Sequence, residues 1–218
     1  MNLNNIAIVG SGISGLTSAY LLQSRYNVTL FEEQDYLGGH TNTEMITMDG
    51  KVYPVNTGFI VFNDWTYPNF IRLMQHLGVA TEASDMSFSV RCDRSGLEYN
   101  GANLNRLFCQ RKNLVNLRFW RMIKDIMRFN QEATTAYRQG DLDSGVTLGE
   151  YLRQNDYSSE FSRYYIIPMG AAIWSASEAD MMQFPAAFFV RFFHHHGLLS
   201  IDDRPQWRVI SGGSHSYV

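Results

Sequence analysis

Apolar, strand-length runs and helical repeats alternate along the first third of the chain. Ile6-Ala7-Ile8-Val9 and Val28-Thr29-Leu30-Phe31 are short and mostly β-branched, the pattern of parallel strands buried on both faces. Between them, residues 16–24 read as a helix, with Leu16, Ala19, Tyr20 and Leu22 as expected buried positions. Residues 69–77 predict a second helix, stopped by Gly78. Residues 87–91 and 96–99, joined by Cys92-Asp93-Arg94-Ser95, predict a β-hairpin. Residues 113–140 predict a long helix whose apolar face is Leu114, Leu117, Ile123, Ile126, Ala133 and Tyr137. Thr147-Leu148-Gly149-Glu150 has the spacing of a capping box that opens another helix. An apolar stretch from Phe161 to Ile167 is expected to end at Pro168. The aromatic run 188–193 serves as core or as cavity lining. Trp207-Arg208-Val209-Ile210 reads as a strand returning toward the first segment, and residues 211–218 start what looks like a helix.

The loop between the first strand and helix is Gly10-Ser11-Gly12-Ile13-Ser14-Gly15. Glu32 closes the second strand, 22 residues after Gly10. Gly-x-Gly-x-x-Gly alone is weak; a strand before it, a helix after it and an acid beyond it make it specific for a dinucleotide. Gly10 permits the tight turn, Gly12 lets a pyrophosphate approach the backbone, and Gly15 lets helix and strand pack closely. The amides at the helix start, aided by the dipole, suit phosphate. A carboxylate at Glu32 can accept hydrogen bonds from ribose hydroxyls and repels a 2′-phosphate, which favours FAD or NAD over NADP.

Past Glu32 the chain reads Glu33-Gln34-Asp35-Tyr36-Leu37-Gly38-Gly39-His40-Thr41. This resembles the extended dinucleotide signature of the flavin amine oxidase superfamily, which includes phytoene desaturases and protoporphyrinogen oxidases. Members carry Gly-Gly-Arg where this chain has Gly38, Gly39 and His40. A histidine can donate a hydrogen bond there with or without a positive charge. Residues 53–60 (Tyr-Pro-Val-Asn-Thr-Gly-Phe-Ile) and 168–175 are also similar, and the whole chain fits the N-terminal half of a bacterial group in that superfamily. The resemblance implies an α/β fold: a Rossmann-like FAD-binding domain of the glutathione-reductase type, with an inserted α+β substrate or cap domain. The expected division is 1–65 for the FAD segment, 66–205 for the cap and 206–218 for the return. Relatives are roughly twice as long, so a C-terminal half is expected to be missing from this truncated chain. If these residues are all there is, the sheet has an unpaired edge, the flavin has one exposed face, and the fragment alone is expected to be inactive.

By the same resemblance the cofactor is FAD. Its expected ligands are Gly10, Ser11, Gly12, Ile13, Ser14, Gly15, Glu32, Glu33, Gly38, Gly39, His40 and Thr41. Thr57, Gly58, Phe59 and Ile60 are expected beside the isoalloxazine, with Gly58 where backbone approaches the ring. The implied reaction is hydride transfer to flavin from a C–H bond next to nitrogen or along an alkyl chain, with electrons passing on to oxygen or another acceptor. The substrate is a small molecule, a lipid or an amine. No catalytic acid or base is nameable. An NAD-dependent dehydrogenase and a non-catalytic dinucleotide-binding module stay open as alternatives.

Composition narrows this further. A net charge of -3 gives no sign of nucleic acid as a partner. Cys92 and Cys109 sit in no metal or redox spacing and read as reduced thiols. Residues 6–22 lack the basic flank of a signal peptide and are broken by glycines, so the expected location is cytoplasmic. No serine–histidine–acid set or carboxylate pair suggests a hydrolase. His194, His195 and His196 are adjacent and make a poor ligand set, so no metal is expected. Seven bases against one acid, Asp125, lie between Arg106 and Arg128. They form either a solvated helix face or a surface that meets an acidic substrate or, as a peripheral membrane contact, anionic lipid headgroups.

Overall fold

The computed structural model describes residues 4–143, 145–200 and 202–218. It opens with β1 (Asn5–Val9), α1 (Ile13–Leu22) and β2 (Asn27–Phe31). β1 and β2 run parallel, with Asn5 opposite Asn27 and Val9 opposite Phe31. The expected two-faced burial is not observed. Ile6, Ile8, Val28 and Leu30 are half-buried, while Ala7, Val9, Thr29 and Phe31 are exposed. Among the described residues these strands pair only with each other, so only one face and one edge of each strand find cover. Leu16, Ala19 and Leu22 are accordingly half-buried. Tyr20 is exposed and sets its ring edge against His76, 5.8 Å away.

β3 (Thr43–Met48) and β4 (Lys51–Asn56) form an antiparallel hairpin. Asp49 and Gly50 at its tip both have positive φ, 51° and 73°, the backbone that matches strand twist in two-residue turns. β5 (Phe62–Asn63), α2 (Pro68–Leu77) and β6 (Thr81–Ser84) follow. Pro68 sits in the first turn of α2, where its missing N–H is harmless, and Gly78 ends the helix at φ 68°.

The chain then enters a separate compact unit, Met86–Pro205. β7 (Ser89–Cys92) and β8 (Leu97–Asn100) pair as the expected hairpin. α3 (Leu104–Leu107) and a 3-10 turn (Arg111–Val115) precede α4 (Leu117–Gln139). The single helix expected over 113–140 is therefore broken at Asn116. Its side chain caps α4 by accepting the amides of Arg118 and Phe119. The break takes Leu114 out of the helix, and Leu117, in the first turn of α4, lies roughly 120–160° around it from the buried positions, so both face out. Leu117 is 84% exposed, and the inward stripe is Phe119, Met122, Phe129 and Ala133.

α5 (Leu148–Gln154) starts with the predicted capping box, Thr147 and Glu150 bonding each other's amides. α6 (Ser159–Phe161) runs through a π-turn (Ser162–Ile166) into α7 (Ile167–Trp174). Pro168 does not end the preceding stretch: the backbone of Ile166 and Ile167 is helical, and the helix runs on past the proline through the π-turn just before it. α8 (Glu178–Gln183) and α9 (Ala186–His195) complete this unit. Its core joins Phe129, Ala133, Leu148, Leu152, Phe161 and Ile166 to Met181, Phe189, Val190 and Phe193. Of the aromatic run, Phe189 and Phe193 are thus core, while Phe188 is exposed.

β9 (Trp207–Ile210) returns to the first unit, Met1–Asp85 with Gln206–Val218. It is the middle strand between β5 and β6 and antiparallel to both, with Arg208 opposite Phe62 and Ile210 opposite Thr81. Arg208 locks this register by donating to the hydroxyl and carbonyl of Thr81 at 3.0 and 2.9 Å. Phe62, Met74 and Ile210 form the core here. Residues 66–85, read from the sequence as part of the cap, pack with this first unit. A final 3-10 turn (Ser214–Tyr217) takes the place of the helix expected at 211–218.

Candidate functional site

The glycine loop is built as its sequence dictates. Gly10 turns out of β1 at φ 89° and donates to the Phe31 carbonyl at 2.7 Å, which ties the loop to the end of β2. A Cβ on Gly15 would lie 1.9 Å from the Gly10 carbonyl oxygen, so α1 can start this close to β1 only with glycine there. Gly12 is the N-cap of α1, with no side chain capping the first turn. A Cβ on Gly12 would meet nothing within 4 Å. The space above it is open, and no side chain of the chain caps the helix mouth.

Gly38 and Gly39 close on this loop from the other side. The Gly38 amide donates to the Ser11 carbonyl at 3.0 Å, and Gly38 bridges Gly12 as a parallel pair. A Cβ on Gly39 would lie 3.1 Å from the Gly12 Cα. Both glycines have positive φ, 109° and 59°, a backbone that other residues adopt only with strain. His40 and Thr41 continue the contact. The His40 carbonyl accepts the Phe59 amide at 2.9 Å, and a Cβ on Gly58 would sit 2.0 Å from that same oxygen. Gly58 is thus required by the His40 backbone. Thr57 donates its amide to Asn42 at 3.0 Å, and Ile60 is exposed.

Glu32 is held by four donors. Oε2 accepts the Ser11 amide at 2.7 Å and the Ser11 hydroxyl, and Oε1 accepts the amides of Glu33 and Gln34 at 2.8 and 3.0 Å. The Gln34 amide and the Ser11 hydroxyl, followed by the Ser11 and Glu33 amides, bring its pKa down to about 2 from an ordinary 4.5. The Ser11 amide therefore faces the acid rather than the helix mouth. A carboxylate has about four acceptor positions, so a further donor must displace one of these.

The sign of the pH effect follows. The folded pKa is depressed, so the contribution of Glu32 is complete above its ordinary 4.5 and is lost as pH falls toward about 2. Hydrogen-exchange protection at the amides of Ser11, Glu33 and Gln34, taken relative to the intrinsic exchange rate at each pH, is expected to fall over that interval. In Glu32→Gln the acid-dependent part of that change should vanish. An unchanged acid profile in the variant would show that the carboxylate does not hold the loop.

Sequence reading missed a second cluster. The Asn56 Oδ1 accepts the Thr43 hydroxyl, the Ser214 amide and the Ser214 hydroxyl at 2.9, 2.8 and 3.1 Å. The Thr41 hydroxyl meets the Tyr217 hydroxyl at 2.5 Å, and burial pushes the Tyr217 phenol up from its ordinary range. These bonds dock the last described turn onto the segment that follows Gly38-Gly39. The available signal was Gly212-Gly213, a glycine pair directly after a strand, both at positive φ.

The histidines do not converge. His195 Nε2 bonds the Tyr137 hydroxyl at 2.7 Å, His194 lies on the Tyr137 ring at 4.3 Å, and His196 stacks on Phe192 at 3.8 Å. Among the described residues no group of three His, Cys, Asp or Glu side chains could hold a metal.

Comparison with known proteins fits this geometry. A family model described as an NAD(P)-binding Rossmann-like domain matches residues 8–77. No curated protein matches. Cyclohexylamine oxidase from Brevibacterium oxydans IH-35A is similar over 100% of this chain and 48% of its own, at 20% identity and a TM-score of 0.68. Putrescine oxidase, solved as wild type bound to putrescine, is similar over 99% of this chain and 48% of its own, at 23% identity and a TM-score of 0.59. A variant of putrescine oxidase from a cofactor-binding redesign gives 20% identity, coverages of 98% and 47%, and a TM-score of 0.63. The chain spans about half the length of the solved structures it matches. Its fold is the Rossmann-like dinucleotide-binding fold of those amine oxidases.

Proposed function

We propose that this chain carries the FAD-binding part of a flavin-dependent oxidoreductase of the amine oxidase and phytoene desaturase type. One observation carries the reading: the Gly38-Gly39 backbone bridges back onto the Ser11-Gly12 loop. An NAD-binding unit needs only the first glycine loop and the acid. A second glycine strand laid against that loop suits a cofactor whose chain runs on past the diphosphate.

The residues divide the work as follows. Gly12, lacking a side chain, admits the diphosphate to the uncapped mouth of α1, where amides and dipole favour negative charge. Glu32 takes the adenosine ribose, whose hydroxyls replace the Ser11 hydroxyl on Oε2; its charge disfavours a 2′-phosphate. His40, exposed at the end of the second glycine segment, is placed to donate a hydrogen bond. Flavin, when bound, supplies a two-electron hydride acceptor; the protein binds it, orients the substrate and excludes water. The similar structures are oxidases of cyclohexylamine and putrescine, which favours a C–H bond beside an amine nitrogen as the hydride source.

Titrating the chain with FAD and with NAD tests the reading. FAD is expected to bind saturably and to be at least about tenfold tighter than NAD, a gap of roughly 1.4 kcal/mol. NAD displacing FAD would make the protein a nicotinamide dehydrogenase instead. Binding of neither would remove the nucleotide assignment. In a protein that also carries the remaining half, anaerobic bleaching of bound flavin by a primary amine is the expected sign of turnover, and a flavin that no substrate bleaches there would mark a non-catalytic module; this chain alone is expected to leave its flavin oxidised.

A further inference from the structure

The outward face of α4 and the 3-10 turn before it carry large apolar side chains in water. Val115 is 85% exposed, Leu117 84%, Leu114 50% and Trp120 45%. The arrangement is built rather than frayed. Asn116 caps the helix between Val115 and Leu117. Trp120 donates its Nε1–H to the Leu114 carbonyl at 2.9 Å and leans on Phe108 with ring centroids 5.3 Å apart. The turn, the helix start and the indole are therefore fixed to one another.

Basic side chains outnumber acidic ones around this tip. Arg121 and Lys124 stand four and seven residues after Leu117, on the same helical stripe as Leu117 and Trp120. Neither has an ion-pair partner among the described residues. Arg106, Arg111 and Lys112, which precede α4 in the chain, are exposed as well. Asp125, the one acid of the segment, is buried on the flank of α4, where it binds Arg128 at 3.2 Å and the Ser158 amide at 2.9 Å. Arg128 is spent there too, on Asp125 and on the carbonyls of Asn155 and Asp156. Beside the helix start lies a cavity of about 550 Å³, lined in part by Lys112, Arg118 and Arg163. Its single carboxylate, Glu160, reaches Arg118 only at 3.9 Å.

We propose that this face docks peripherally on a lipid bilayer that contains anionic headgroups. Val115 and Leu117 enter the boundary of the acyl chains. Trp120 lies at headgroup level, where an indole is both apolar and able to hydrogen-bond. Arg118, Arg121 and Lys124 extend their stems along the apolar tip and meet lipid phosphates. The charge argues for a bilayer as the occupant: Arg121 and Lys124, unpaired among the described residues, flank an apolar tip, which matches phosphate headgroups lying over acyl chains. Contact of this kind lies in the membrane surface, and no described helix is long and apolar enough to cross it. The proposal does not rest on the nucleotide assignment.

Sedimentation of the chain with vesicles tests it. Binding is expected to phosphatidylcholine vesicles containing phosphatidylserine, to be weak without phosphatidylserine, and to fall as salt is raised. The R118E/R121E/K124E variant should lose roughly a hundredfold or more in partitioning, and V115D/L117D about tenfold or more. The Trp120 emission should shift to the blue on vesicles, and that shift should be missing in Trp120→Phe. All the replaced side chains but Trp120 are largely exposed, so an unchanged circular dichroism spectrum and unfolding midpoint separate lost docking from lost folding. No sedimentation at low salt overturns the proposal. So does binding that V115D/L117D leaves intact, or a V115D/L117D variant that breaks a dimer while wild type ignores vesicles, since the face is then an interface between copies.

Discussion

Gly15→Ala is expected to disrupt the β1–α1–β2 segment and with it the binding of any dinucleotide. The added Cβ would lie 1.9 Å from the Gly10 carbonyl oxygen, which is backbone and cannot rotate away. Helix and loop must separate, at a cost of about 3 kcal/mol or more, and Gly10 loses its fixed place against Phe31. Hydrogen exchange at the amides of β1 and α1 should accelerate by about a hundredfold, the factor that corresponds to about 3 kcal/mol. Gly12→Ala separates folding from binding. Gly12 has an ordinary φ of -64°, and its added methyl would meet no protein atom within 4 Å. Exchange in this variant should match the wild type, while FAD affinity falls by at least about tenfold because the methyl occupies the approach of the diphosphate. Normal exchange in Gly15→Ala would contradict the packing, and full FAD affinity in Gly12→Ala would move the diphosphate elsewhere.

In the inserted unit the largest loss is expected from Phe129→Ala. Phe129 is fully buried, with the rings of Tyr157 and Phe161 at 5.7 and 5.5 Å and Tyr151 at 6.2 Å. Truncation removes its transfer free energy and leaves a cavity that rigid aromatic neighbours fill poorly, about 3–5 kcal/mol. That is a large share of the roughly 5–15 kcal/mol that holds a domain folded. Leu117→Ala on the same helix is expected to stay within about 0.5 kcal/mol, as for other exposed sites. Urea unfolding of the two variants decides it. Equal losses would mean that α4 buries the stripe read from the sequence, Leu114 and Leu117 included, instead of the one seen in the structure.

That contrast shows where pattern reading stops. Apolar spacing placed a helix over 113–140 correctly for most of its length, but a periodic count assumes one unbroken cylinder. Asn116 competes for the backbone amides of Arg118 and Phe119 and restarts the helix, which leaves Leu114 outside it, while Leu117 opens α4 but stands roughly 120–160° around it from Met122, Phe129 and Ala133. Pro168 was misjudged as well: a π-turn just before it carries the helix past a residue that has no N–H to donate, and an apolar count shows no such turn. In the site, Gly58 was legible as a position that excludes a side chain. The neighbour responsible, the His40 carbonyl, was not, because the two lie far apart along the chain.

The sequence by itself determined what is local. It set the glycines at sharp turns and close approaches, the acid at the end of β2, the capping box at Thr147 and the hairpin at residues 89–100. Each follows from steric and hydrogen-bonding preferences that act within a few residues. Tertiary structure decided what depends on distant partners: that Glu32 is saturated by Ser11 and its own turn, that Asn56 gathers Thr43 and Ser214, and that α4 turns Leu117 and Trp120 outward with its bases. Those outcomes rest on which donors and apolar surfaces meet in space, and a one-dimensional pattern carries no distance between them.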